Sequence, residues 1–152
     1  MFVAWTDARG ASLDVYAQRL NSAGVAQWTA NGLAVCTAAG SQSVSDLQRD
    51  SGTGILLTWT DARGLSTDIY AQRVSLLGTP LWTANGVGVC TLTSVQNAPV
   101  IASDGTGGAI VTWMDQRSGT FNNYAQRLNS GGAAQWTSNG IAICTAPGVQ
   151  HE

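Results

Sequence analysis

The amino-acid sequence predicts an all-β fold, and three observations carry that prediction. The first is a five-residue landmark, W-T-D-A-R at Trp5 to Arg9, that returns as Trp59 to Arg63 and as Trp113-Met114-Asp115-Gln116-Arg117, at a step of 54 residues. The second is that later landmarks keep the same step. These are Y-A-Q-R (from Tyr16, Tyr70 and Tyr124), a tryptophan (Trp28, Trp82, Trp136), an N-G pair (Asn31-Gly32, Asn85-Gly86, Asn139-Gly140) and a cysteine (Cys36, Cys90, Cys144). The third is that no helical periodicity appears and every connection is rich in Gly, Ser, Asn or Thr. A long period assembled from strand-like pieces marks a propeller or a related repeat array.

The middle repeat shows each element. Ile55 to Thr60 is a short run of large and β-branched residues bounded by Gly54 and Asp61, a strand signal. Both of its faces are apolar, with Ile55, Leu57 and Trp59 on one and Leu56 and the threonine methyls on the other, which suits a strand covered on both sides. Residues 62–67 form a loop. Asp68 to Val74 is the next strand, alternating Tyr70, Gln72 and Val74 against Ile69, Ala71 and Arg73. Ser75-Leu76-Leu77-Gly78 turns the chain into Thr79 to Trp82, as do Asn21-Ser22-Ala23-Gly24 and Asn129-Ser130-Gly131-Gly132, so a hairpin is expected in every repeat. Asn85-Gly86 is a second turn that favours positive φ. Val87 to Cys90 is a further extended piece. Pro99 to Ser103, closed by Asp104-Gly105-Thr106-Gly107-Gly108, is the last strand, with residues 44–47 as its counterpart one repeat earlier.

Four strands per repeat make a propeller blade. The expected architecture is therefore a β-propeller of about 54-residue four-stranded blades, three per chain. They form one unit over 1–152, with blade repeats about 1–54, 55–108 and 109–152. Residue 1 aligns with Ile55 and residue 152 with Ala98, so eleven strands are expected, the first blade lacking its innermost one. Known propellers need roughly four blades or more to close. A homo-oligomer is the expected answer, most simply a dimer giving six blades, with Thr145 to Glu152 of one copy covering the seam of the next. An alternative is that the chain is a piece of a longer product.

Composition narrows the function classes. Charged residues make up 11% of the chain, the formal net charge is -2, and all seven cations are arginine, so a basic nucleic-acid surface is not expected. No apolar run is long enough to span a membrane and no signal peptide is expected at Met1-Phe2-Val3-Ala4-Trp5. The three cysteines each lie in an apolar run, and equivalent points in neighbouring repeats lie too far apart for a disulfide, so they read as small buried hydrophobes. No second ligand type recurs beside them, and neither a metal nor any cofactor is expected.

Catalysis finds little support. Glycoside hydrolysis needs two unequal carboxylates, yet the only glutamate is Glu152 and the aspartates are distributed largely by repeat. The only histidine is His151. The candidate ligand-binding residues are instead Asp7, Arg9, Asp61, Arg63, Asp115 and Arg117, a ring of polar groups at one mouth suited to a glycan or carboxylate. Trp28, Trp82 and Trp136 join them as residues able to stack on sugar rings. The competing reading is structural: each Asp caps a turn, each Arg pairs with an acid, and each Trp packs between blades. Repetition at every blade favours the second reading. Two functions follow, a self-assembling structural repeat module and, as the alternative, a lectin-like module with one carbohydrate site per blade. A fragment of a hydrolase stands behind both.

At its W-x-D-x-R, Y-A-Q-R-[LV] and W-T-x-N-G landmarks the chain resembles repeats of large secreted bacterial proteins that look like β-propellers. The resemblance covers all three repeats and implies a bladed fold and an extracellular or cell-surface setting, but no activity. A fainter likeness is to the Asp-box of sialidase-type propellers. Ser103-Asp104-Gly105 departs from that motif's spacing and reads as an analogous glycine-rich hairpin.

Overall fold

The computed structural model describes residues 1–52 and 54–146. Among them no helix forms, and eleven strands follow one another: β1 (Phe2–Asp7), β2 (Asp14–Arg19), β3 (Leu33–Cys36), β4 (Gln42–Arg49), β5 (Ile55–Asp61), β6 (Asp68–Val74), β7 (Val87–Cys90), β8 (Gln96–Ser103), β9 (Ala109–Asp115), β10 (Asn122–Leu128) and β11 (Ile141–Cys144). They form three antiparallel sheets in the orders β1-β2-β3, β4-β5-β6-β7 and β8-β9-β10-β11, here called sheets 1, 2 and 3. The chain is all-β. The expected cover of a seam by Thr145 to Glu152 lies, beyond Ala146, outside the described residues.

Each sheet is a meander because its connections are short turns. β5 and β6 pair in register from Ile55↔Val74 to Asp61↔Asp68, which sets Trp59 opposite Tyr70 with the rings stacked at 6.4 Å. The same pairs recur as Trp5–Tyr16 and Trp113–Tyr124. After β6 the hairpin closes with the Ser75 amide donating to the Thr79 carbonyl, as Asn21 does to Val25 and Asn129 to Ala133. The N-G pairs take the positive φ values expected of them, 62° at Asn85 and 87° at Gly86. The strand that ends each repeat crosses over: β4 pairs with β5 and β8 with β9, so sheet 1 has three strands and the other two have four.

The sheets pack face to face through their central strands. Val15, Ala17, Val35 and Cys36 of sheet 1 share a core with Ile55, Leu57, Trp59 and Val74 of sheet 2. Leu56, Ile69, Ala71, Trp82, Val89 and Cys90 from the other side of sheet 2 share a second core with Ala109, Val111, Trp113 and Leu128 of sheet 3. Alternation along a strand dictates this arrangement, because both faces of β5 are apolar and both are buried. Sheet 1 thus contributes its forward face, sheet 3 its rear face, and sheet 2 both. In this single chain the outer two faces are less covered: Trp59 and Trp113 are buried whereas Trp5 is half-buried, and Ile143 is 60% exposed where Val89 is 3%. Cys36 and Cys90 are buried free thiols, while Cys144, on the uncovered β11, is only half-buried.

Candidate functional site

The residues singled out from the sequence form one recurring cluster at the end of each central strand. Asp61, fully buried, accepts from the Trp59 indole at 2.9 Å, from the Arg63 amide at 2.9 Å and from the Arg63 guanidinium at 2.9 and 2.6 Å. The same guanidinium lies over Tyr70, its carbon 3.8 Å from the ring centre, and donates to the Asn85 carbonyl of the N-G turn at 2.8 Å. Asp115 and Arg117 repeat this with Trp113, Tyr124 and the Asn139 carbonyl, except that the buried Arg117 Nε finds no partner among the described residues, and Asp7 and Arg9 repeat it with Trp5, Tyr16 and the Asn31 carbonyl. Asp and Arg two residues apart thus satisfy each other around a turn, and the arginine fork bolts the turn to the next hairpin. Burial pushes the Asp61 and Asp115 carboxyls up, but hydrogen bonds from the arginine and tryptophan outweigh it and hold both below the usual range.

Contacts also pass from one sheet to the next. Arg63 reaches back to the Cys36 sulfur at 3.2 Å and Arg117 to the Cys90 sulfur at 3.4 Å. Burial pushes the Cys90 thiol up to about 12, so it carries no nucleophile at neutral pH. Trp28 donates its indole N–H to the Leu76 carbonyl at 2.9 Å, and Trp82 to the Ser130 carbonyl at 3.0 Å, each reaching the hairpin turn of the following repeat. The glycine in that turn lies against the ring: a Cβ at Gly78 would stand 3.0 Å from Trp28 atoms, and one at Gly132 2.8 Å from Trp82. The Thr37 and Thr91 amides donate at 3.0 Å to the side chains of Asn85 and Asn139. Trp136, the third tryptophan of this set, is half-buried, and among the described residues its indole N–H has no acceptor.

The glutamines of the Y-A-Q-R landmark have a structural role that was not picked out from the sequence, whereas Arg19, Arg73 and Arg127 of the same landmark carry the same choice as Arg63, between a ligand site and a pairing with a nearby acid. Gln72 is fully buried and brackets the hairpin, donating to the Thr83 carbonyl and accepting from the Arg73 and Trp82 amides, and Gln18 and Gln126 repeat the pattern. A glutamine recurring in the middle of an apolar strand was the available signal. Arg73 and Arg127 pair with Asp50 and Asp104, whose other oxygens cap the tight turns before β5 and β9. The glycine-rich hairpin at Asp104 is therefore held by an arginine from the neighbouring strand.

The buried Asp68 carboxyl is pushed up, by burial first and then by the Asp61 charge. The third repeat carries Asn122 at this position, where it donates to Ser118. Asp68→Asn is expected to stabilise the fold at pH 7, because it removes a charge that burial and the Asp61 carboxylate disfavour. Above the raised folded pKa both states are ionised and the folded one bears the full cost; below the unfolded value of 3.8 neither is charged. The gain must fade as pH falls through that window, and urea titrations at pH 7 and pH 3 check it.

Among the described residues no three metal-ligating side chains gather in one place. A groove of about 290 Å³ lies on sheet 3, lined by Val100, Thr112, Trp113, Asn123, Tyr124 and Ile143. It is largely apolar and brings no pair of titratable groups together. No family model, no curated protein and no solved structure matches the chain.

Proposed function

We propose that the chain is a non-catalytic β-propeller repeat module that assembles with a second copy into a closed ring of six blades, in a structural and interaction role. One observation carries this reading. The junctions between sheets 1 and 2 and between sheets 2 and 3 use the same donors and acceptors at equivalent positions, and the outer faces of sheets 1 and 3 offer that chemistry again, uncovered. Burying several hundred Å² of apolar face at about 25 cal/mol/Å² gives several kcal/mol per junction before association costs. A ring formed by two copies closes two such junctions at once, so it outcompetes an open pair. Two copies give six blades, inside the usual range of roughly four to eight, and three give nine.

The carbohydrate reading has less support, since the rings of Trp28 and Trp82 lie against glycine turns and the repeated Asp and Arg groups bond to one another. Light scattering at micromolar concentration should report about twice the 15.8 kDa chain mass. A stable monomer would contradict assembly, and reproducible binding on a glycan array would favour the lectin-like alternative.

A further inference from the structure

We propose that copies join head to tail, the forward face of sheet 3 receiving the rear face of sheet 1 of a second copy, in the same register as the junctions inside the chain. This rests on the self-assembly reading above and names the groups that make the join. Carrying the in-chain bonds forward by one repeat assigns each partner. The Trp136 indole N–H donates to the Ser22 carbonyl of the second copy, as Trp28 does to Leu76 and Trp82 to Ser130. The Trp136 ring lies on Gly24, the Thr145 amide donates to the Asn31 side chain, and Arg9 reaches the Cys144 sulfur, as Arg63 reaches Cys36.

Both halves of this join are already shaped for it. Gly24 has φ 77°, like Gly78 and Gly132 at 81° and 83°, so its turn has the same form. Yet a Cβ at Gly24 would meet nothing within 4 Å, whereas at Gly78 and Gly132 it would meet a tryptophan. Trp136, Cys144 and Ile143 are part-exposed or exposed where Trp82, Cys90 and Val89 are buried. Two things differ: Asn123 stands where Val15 and Ile69 fill the inner junctions, and sheet 1 brings no counterpart of β4 and β8, whose Val44, Leu47 and Ile101 pack into those junctions. The join between copies is therefore weaker than the junctions within one, and association is reversible by dilution.

The test uses light scattering on the wild-type chain, on Trp136→Ala and on Gly24→Asn, with circular dichroism to confirm folding. Asparagine tolerates positive φ, and the single chain has open space there, so Gly24→Asn folds even if Trp136→Ala does not. Each variant alone should run as a monomer with Cys144 reactive to a thiol reagent, while an equimolar mixture should form open pairs at concentrations above those the wild type needs, because one of its two joins sets an intact Trp136 on an intact Gly24 turn and the other carries both changes. If the wild type is oligomeric and both variants remain so, the join is elsewhere and the self-assembly reading stands alone. A monomeric wild type overturns both. Variants that dissociate but fail to recover on mixing overturn the head-to-tail register.

Discussion

Replacing Asp61 by alanine is expected to cost about 3–5 kcal/mol, the loss typical of breaking a buried charge pair by removing one partner. The carboxylate is fully buried, and four donor groups converge on it from Trp59 and Arg63. Without it the guanidinium remains over Tyr70 and beside Cys36 without its bonded carboxylate, and the Trp59 N–H is stranded in the core between sheets 1 and 2. In the dissociated chain Asp7→Ala should cost clearly less, because there the Asp7–Arg9 pair lies part-exposed at the outer side of sheet 1. Urea unfolding of both variants checks the ranking, and equal losses would remove the argument from burial. The same bonding predicts acid sensitivity. A carboxyl held below 3.8 stabilises the fold above that value and ceases to as pH falls through its folded pKa, about 2 for Asp104, where burial pushes up and hydrogen bonds from the turn amides and Arg127 prevail.

Gly86→Ala should be a strongly damaging methyl addition. The residue has φ 87°, which costs an L side chain roughly 1–2 kcal/mol. The added carbon would also overlap the Trp59 ring and approach the Ala71 carbonyl, and overpacking of this sort costs roughly 1–3 kcal/mol more. The ring cannot retreat, since Tyr70 stacks on one side and the Asp61 bond fixes its edge. A total of about 2–5 kcal/mol is expected by urea unfolding. Gly24→Ala, where the carbon meets nothing within one chain, should show only the backbone part when unfolding is followed at dilutions that keep copies apart, and the difference between the two then isolates the tryptophan contact. If the two substitutions cost the same, the Trp–Gly packing is not what selects glycine.

Much of the fold was legible because the landmarks are those that local physics makes unambiguous. Asn85-Gly86 reads as a positive-φ turn and is one, and the apolar run at Ile55 reads as a strand buried on both faces and is one. The strand expected from Pro99 in fact begins at Gln96. A register break between Asn97 and Val100, with Ala98 at φ 49°, interrupts the alternation there, and a proline in a strand hid the earlier residues. The burial of Cys36 and Cys90 was readable from their apolar neighbours; the half-exposure of Cys144 depends on what covers β11, which no local pattern encodes.

For the candidate site, the pairing of Asp with Arg was legible as a type of interaction but not in its partners. Arg63 closes on Asp61 two residues away, whereas Arg73 crosses to Asp50 on the other side of β5. Spacing alone does not separate these outcomes, because the second depends on strand register. That Trp28 and Trp82 point forward onto the next turn likewise emerges only when sheets stack.

The central claim is that one kind of junction serves every boundary, inside a copy and between copies. Hydrogen exchange of the tryptophan indole N–H groups tests it most directly, since Trp28 and Trp82 sit at the two internal boundaries and Trp136 at the outer one. At concentrations where the copies associate, Trp136 should be protected like the other two, and dilution should release it alone. Fast exchange of Trp136 at every concentration would contradict the account.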